Sequence, residues 1–465
     1  MKSVRAERLL WAPRAWLNGR WADAVLLAID AQGHWCDVQT AQPPPPQATV
    51  LPGAVLPGLV NAHSHAFQRA FAGLAERRDS AHDDFWSWRD RMYGVALRIT
   101  PAQLQAVATQ LYSELLAGGT TQVCEFHYLH HDEYGEPYAD PLAMARALCD
   151  AAAATGIGLT LLPVLYERAS FTQPTLRPDQ RRFATTVNSV LALRDGVRAM
   201  NLPRVTAGVA VHSLRAAAPA SLHALCRRLA DDAGPIHIHI AEQTAEVADC
   251  QAATGARPIA WLARELPLDA RWQLVHATHA LPAEIDDVAA TGAGVVLCPS
   301  TEANLGDGLA DLPRWLASGA PLSIGSDSQL SRSAMEELRW LEYGQRLVLR
   351  QRNVAAEPGT QAATAARLFD RVLGGGAAAA GYTRWGLQVG ARADLLVIDE
   401  TAAGVLGAPP SHTLDALVFA TVAPAFTEVW VAGQRTVAGG AHRQAASAAA
   451  AFTTAMRELW AAPAG

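Results

Sequence analysis

His63 and His65 close an apolar run, AVLPGLVNAHSH, with one residue between them. Residues two apart in a strand share a face, so both imidazoles can aim at one point beyond the strand's end. The spacing alone is weak evidence, because 15 histidines in 465 residues produce about half such a pair by chance. Repetition adds the weight. His237 and His239 lie in PIHIHIAEQ, His276 ends the run in WQLVHATH, and Asp327 ends the run in PLSIGSDSQ. Imidazole nitrogens with a carboxylate oxygen suit Zn²⁺ and leave a position for water. Such an ion lowers the pKa of bound water from ~15.7 to roughly 7, which makes a nucleophile for an electrophilic carbon at neutral pH.

Residues this scattered need a scaffold that brings strand ends together. Eight strand-length apolar runs lie between Ala54 and Gln329: AVLPGLVNAHSH, TTQVCEFHYLH, IGLTLLPVLYE, RVTAGVAVHSLR, PIHIHIAEQ, WQLVHATH, GAGVVLCPST and PLSIGSDSQ. Ala/Leu/Arg-rich stretches of helical texture separate them, and each run collects its polar residues at its C-terminal end. This alternation predicts a (β/α)8 TIM barrel, an α/β fold whose strand ends form one functional rim. Before it, short apolar runs and the Pro43 to Pro46 loop predict a β unit. After Trp385, the stretches GLQVGARADLLVIDE, LDALVFA and TEVWVAGQRTVAGG are expected as strands that complete that unit. The expected division is 1–55 and 385–442 as two parts of a small β-sandwich, 56–384 as the barrel and 443–465 as a C-terminal helix.

Composition excludes other classes. With 38 basic against 44 acidic residues and a net charge of -6, no broad basic surface exists for nucleic acid or anionic lipid. Lys2 is the single lysine, so neither a Schiff base nor a carbamylated lysine bridging two metals has a plausible residue. Six cysteines without a C-x-x-C pair point to reduced thiols in a cytoplasm. No run reaches ~20 apolar residues, and no partner in a membrane is expected.

PGLVNAHSH, HIHIAEQ, LVHATH and IGSDS resemble the metal-site motifs of the amidohydrolase superfamily. The resemblance implies one Zn²⁺ per subunit held by His63, His65, His239 and Asp327. His239 is preferred to His237 because the family's ligand precedes a glutamate by three residues, here Glu242; packing is the reading for His237. Glu242 would carry a proton to or from a substrate nitrogen, Asp327 would take the water's proton, and His276 would stabilise the hydroxide or the developing tetrahedral oxygen. His127, His130 and His131 are read as pocket or structural residues.

HSHAFQRAFAGL, FWSWRDRMY, EFHYLHHD, CPSTEANLGDG and ELRWLEYGQRL resemble the formimidoylglutamate deiminase branch over most of the chain. That branch implies hydrolysis of N-formimino-L-glutamate, a dicarboxylate carrying a formamidine, to N-formyl-L-glutamate and ammonia in histidine degradation. Gln68, Arg89, Tyr128, His212 and Arg215 would hold the substrate. A homodimer is expected. The rival within the superfamily is a deaminase of a purine, a pterin or an S-adenosyl nucleoside, against which two arginine forks argue, because a neutral base needs stacking and amide contacts. A non-enzymatic barrel scaffold would have no use for the metal ligands with Glu242.

Overall fold

The computed structural model describes residues 6–78 and 85–461, so Lys2 lies outside it. All eight apolar runs form strands: Leu59–Ser64, Thr120–His127, Gly158–Leu165, Val209–Val211, Ile236–Ile240, Trp272–His276, Gly294–Leu297 and Leu322–Ile324, called barrel strands one to eight. Every residue in them is buried, as expected of parallel strands covered on both faces. Neighbours pair in parallel from strand one to strand eight. An extra segment, Val205–Ala207, pairs with strand three ahead of strand four.

The seam between strands eight and one closes through their C-terminal residues. The Asp327 N–H donates to the His63 carbonyl at 3.0 Å, and the His65 N–H donates to the Asp327 carbonyl at 3.2 Å. Gly325 permits this approach, because a Cβ there would sit 2.6 Å from the His63 Cβ. Three residues with candidate ligand side chains are therefore joined by backbone before any side-chain contact is considered.

The helix Pro101–Ala117 shows how the covering layer is built. Thr100 caps it in a capping box with Gln103, proline occupies the first turn, and Leu104, Val107, Ala108, Leu111 and Leu115 are buried at helical period. The second unit is a nine-stranded sheet drawn from both chain ends. Its halves meet at Val55–Pro57, which lies between Arg8–Leu17 and Leu395–Ile398 and leads through Gly58 into barrel strand one. A separate core that includes Leu10, Leu27, Trp35, Val55, Leu395 and Trp430 stabilises this sheet.

One expected strand is a helix. LDALVFA falls in Thr413–Phe419, where Leu414, Leu417 and Val418 are buried at i, i+3 and i+4. A short apolar run carries no decisive period; packing against neighbouring helices chose the helical one. The C-terminal alanine-rich stretch is the helix Ala445–Trp460.

Glu337, on the helix Ala334–Leu349, ties that helix to the short helix Pro299–Leu305 after strand seven by accepting from the Ser300 N–H at 3.0 Å and its hydroxyl at 2.6 Å. Burial pushes its carboxyl from 4.5 up to about 8. Between those values the folded chain holds a proton that the unfolded chain has lost, so this group makes stability fall as pH rises across the window. Glu337→Gln should flatten the decline of melting temperature between pH 5 and 8. An unchanged slope in thermal scans contradicts it.

Candidate metal centre and active site

Four side chains from three strands meet at the barrel mouth. His63 Nε2 lies 3.2 Å from His65 Nε2, 2.9 Å from His239 Nε2 and 3.4 Å from Asp327 Oδ1, and His65 Nε2 lies 3.3 Å from Asp327 Oδ1. His65 Nδ1 sits 2.9 Å from the Phe126 carbonyl, which can only accept, so Nδ1 carries the proton and Nε2 presents a lone pair. Burial pushes His63 down to about 3 and His239 well below the usual histidine range, so these rings are neutral. Burial opposes ionisation of Asp327, yet the histidines around it hold its carboxyl below the usual range.

Lone pairs and an anionic oxygen at such distances repel unless a cation stands between them. Two ligands at ~2.0–2.1 Å from a tetrahedral ion are about 3.3 Å apart, close to the observed spacings. His63 Nδ1 is buried without a hydrogen-bond partner, which leaves that ring's polar contacts all on the ligand side. The donor set fits zinc.

His276 and Glu242 flank this cluster. His276 Nε2 is 3.7 Å from Glu242 Oε1 and 3.8 Å from Asp327 Oδ2. Burial pushes Glu242 up to about 7, helped by the Asp327 and Glu246 carboxylates. Burial alone would lower His276, but Glu242 and Glu302 outweigh it and hold the imidazole well above its ordinary range.

The strand ends carrying these groups are bent into the left-handed region: Ala241 has φ 51°, His276 69°, Ala277 46° and Asp327 44°. Each such non-glycine residue costs on the order of 1 kcal/mol or more, and it persists where surrounding bonds overdetermine it. Here Glu246 accepts from the N–H groups of Ala241 at 3.3 Å and Glu242 at 3.0 Å, while Gln329 Nε2 donates to the Asp327 carbonyl at 2.6 Å. The bends turn the side chains from the strands toward the common centre.

A cavity opens above the cluster. Its lining includes every residue given a metal, catalytic or substrate role from the sequence except His63, which is fully buried beneath: Gln68, Arg89, Tyr128, His212 and Arg215 face the same space as His65, His239, Glu242, His276 and Asp327. Gln68 Nε2 donates to the Tyr128 hydroxyl at 3.3 Å. Burial and then the guanidinium charges of Arg215 and Arg89 hold His212 well below its usual range. Arg89 also lies over the Tyr93 ring, 5.5 Å from its centroid.

Sequence reasoning missed Tyr166, which ends strand three, Glu246, and Trp88, Met92 and Tyr93 on the helix Phe85–Ala96, all of which line the cavity. Tyr166 was legible, since it occupies the polar end of a quoted strand run. His237 shares the face of His239 but bonds the Ala379 carbonyl at 2.8 Å, deeper in the barrel. The ligand-like groups among the described residues do not include His127, His130 or His131; His127 and His130 pack edge to face at 4.9 Å.

Comparison with known proteins follows the same lines. Residues 54–436 match the model of the Amidohydrolase family. The chain is 45% identical over 456 residues to the formimidoylglutamate deiminase of Pseudomonas aeruginosa, covering 97% of this chain and 99% of that protein. It is 29% identical to a 5-methylthioadenosine/S-adenosylhomocysteine deaminase of Desulfovibrio desulfuricans, covering 82% of this chain and 79% of that one. The crystal structure of an amidohydrolase from Brucella melitensis superposes with a TM-score of 0.93 at 42% identity, covering 98% of this chain and 100% of that chain. A zinc-bound adenosine deaminase from Xanthomonas campestris shares the fold, with a TM-score of 0.80 at 23% identity over 98% of each chain. With a barrel whose seam is closed by the candidate ligand residues and a family match over residues 54–436, the chain belongs to the amidohydrolase family.

Proposed function

We propose that this chain hydrolyses N-formimino-L-glutamate to N-formyl-L-glutamate and ammonia, with one Zn²⁺ per subunit held by His63, His65, His239 and Asp327. The observation that carries the reading is the cavity itself, which brings two arginines, Arg89 and Arg215, into the same space as the candidate ligand cluster. A substrate that carries both a formamidine and two carboxylates matches that combination of groups. The 45% identical Pseudomonas aeruginosa deiminase supports the same choice.

When bound, the ion makes water acidic enough to supply a nucleophile at neutral pH. The water oxygen bonds to the formimino carbon as its first proton passes to Asp327. Glu242, poised near 7, then gives its proton to the terminal amidine nitrogen as the carbon–nitrogen bond breaks, and takes back the remaining hydroxyl proton as the formyl carbonyl forms. Ammonia leaves while Asp327 returns its proton to solvent. His276 donates from Nε2 to the oxygen as charge develops on it. Arg89, Arg215, Tyr128 and Gln68 hold the glutamate portion, and His212 packs between Tyr166 and Tyr128 on the cavity wall.

Ammonia release by the purified zinc form should be seen with N-formimino-L-glutamate and be far weaker with formimino-L-aspartate, guanine or S-adenosylhomocysteine. No release from formiminoglutamate, or a preference for a nucleoside, would reject the reading. Losing a charge-assisted arginine fork costs ~2 to 5 kcal/mol. Arg215→Met and Arg89→Met should therefore each raise KM roughly 30-fold or more. Normal KM in both variants removes the carboxylate assignment.

A homodimer is proposed on the exposed stripe Trp340, Tyr343 and Leu347 of the helix Ala334–Leu349. Sedimentation as a monomer at micromolar concentration contradicts it. Six free cysteines and the absence, among the described residues, of a helix able to cross a membrane support a cytoplasmic location, which cell fractionation checks.

A further inference from the structure

We infer that Glu302 is a positioning residue whose carboxylate keeps a proton on His276 Nδ1 and fixes the ring orientation, which leaves Nε2 to face the reacting oxygen. The inference rests on the deiminase reading above for its kinetic consequence, and on geometry alone for its structural one.

Glu302 lies on the short helix Pro299–Leu305 after strand seven and is 3% exposed. Its Oε1 accepts the Cys298 N–H at 2.9 Å and stands 3.3 Å from His276 Nδ1. Cys298 Sγ completes the enclosure, with one donor atom of each of the three residues within 4.8 Å of the others. A carboxylate oxygen that already takes a backbone N–H can offer the ring only a lone pair, so the proton between them belongs to Nδ1. Nε2 is thereby directed to the opposite side, toward Glu242 and Asp327. A ring rotated by half a turn would put carbon against Glu302 and withdraw Nε2 from both carboxylates.

The backbone makes an anchor necessary. His276 and Ala277 both have positive φ, so the strand's ordinary packing does not dictate where the ring points. Outer partners of this kind fix the tautomer and direction of a functional imidazole, and their loss costs about 10- to 100-fold in activity.

The competing reading is a helix cap, since Glu302 reaches back to the residue that precedes the helix. Glu302→Gln separates the two, because glutamine keeps a cap acceptor but removes the charge facing the ring. The inference expects zinc content and melting temperature near wild type, KM unchanged and kcat lowered about 10- to 100-fold. Unchanged kcat overturns it and leaves the deiminase reading standing on the wild-type rate.

A second measurement needs neither turnover nor a folded Glu302 variant. Proton NMR of the zinc-loaded wild type should show a downfield imidazole N–H resonance that His276→Asn abolishes. Its absence from the wild type overturns the inference. So does a second bound metal equivalent lost on Cys298→Ser, because a cation held by Cys298, Glu302 and His276 would replace that proton.

Discussion

Glu242→Gln should reduce turnover by about a hundredfold to ten-thousandfold while leaving zinc content and melting temperature close to wild type. Glutamine matches the shape of glutamate but cannot carry a proton. Glu242 sits where such a carrier is required: Oε1 is 3.7 Å from His276 Nε2, the side chain lines the cavity, and burial brings its carboxyl to about 7. At neutral pH both protonation states are populated, so the group can give a proton and be reset within one cycle. The limb of the pH profile near 7 to which Glu242 contributes should vanish from the variant's residual activity. A variant with the wild-type rate removes Glu242 from the chemistry, whatever the metal does.

Stripping the metal should abolish deimination and lower thermal stability together, and stoichiometric Zn²⁺ should restore both. In the metal-free chain, lone pairs on His63, His65 and His239 face each other and the Asp327 carboxylate at 2.9 to 3.4 Å with nothing to bind them. A ligand present at a thousand times its dissociation constant adds about 4 kcal/mol to folding stability, and that contribution is lost on chelation. Asp327→Asn should not be rescued by zinc, because it loses both the anionic ligand and the acceptor for the water's proton. Calorimetry with metal analysis and ammonia release checks both halves. Full turnover by a chain shown to be free of metal would end the proposal.

The eight barrel strands were legible because parallel strands buried on both faces read as short continuous apolar runs. Their polar ends were legible because period two aims alternate residues at one face. LDALVFA was not legible, since seven apolar-rich residues satisfy either period until neighbouring helices choose one. Glu302 stood within a quoted stretch, yet its spacing from His276 is spatial and leaves no local signature.

Sequence alone determined the strand runs, the histidines and carboxylate at their ends, and the single lysine that leaves no bridging ligand for two metals. Tertiary structure alone decided that His239 and not His237 joins His63, because one layer of barrel depth separates two side chains on the same face. It also decided that left-handed backbone at Ala241, His276 and Asp327 turns those groups inward. Such choices depend on barrel closure, in which residue 327 pairs with residue 63, and no local pattern encodes a contact across that separation.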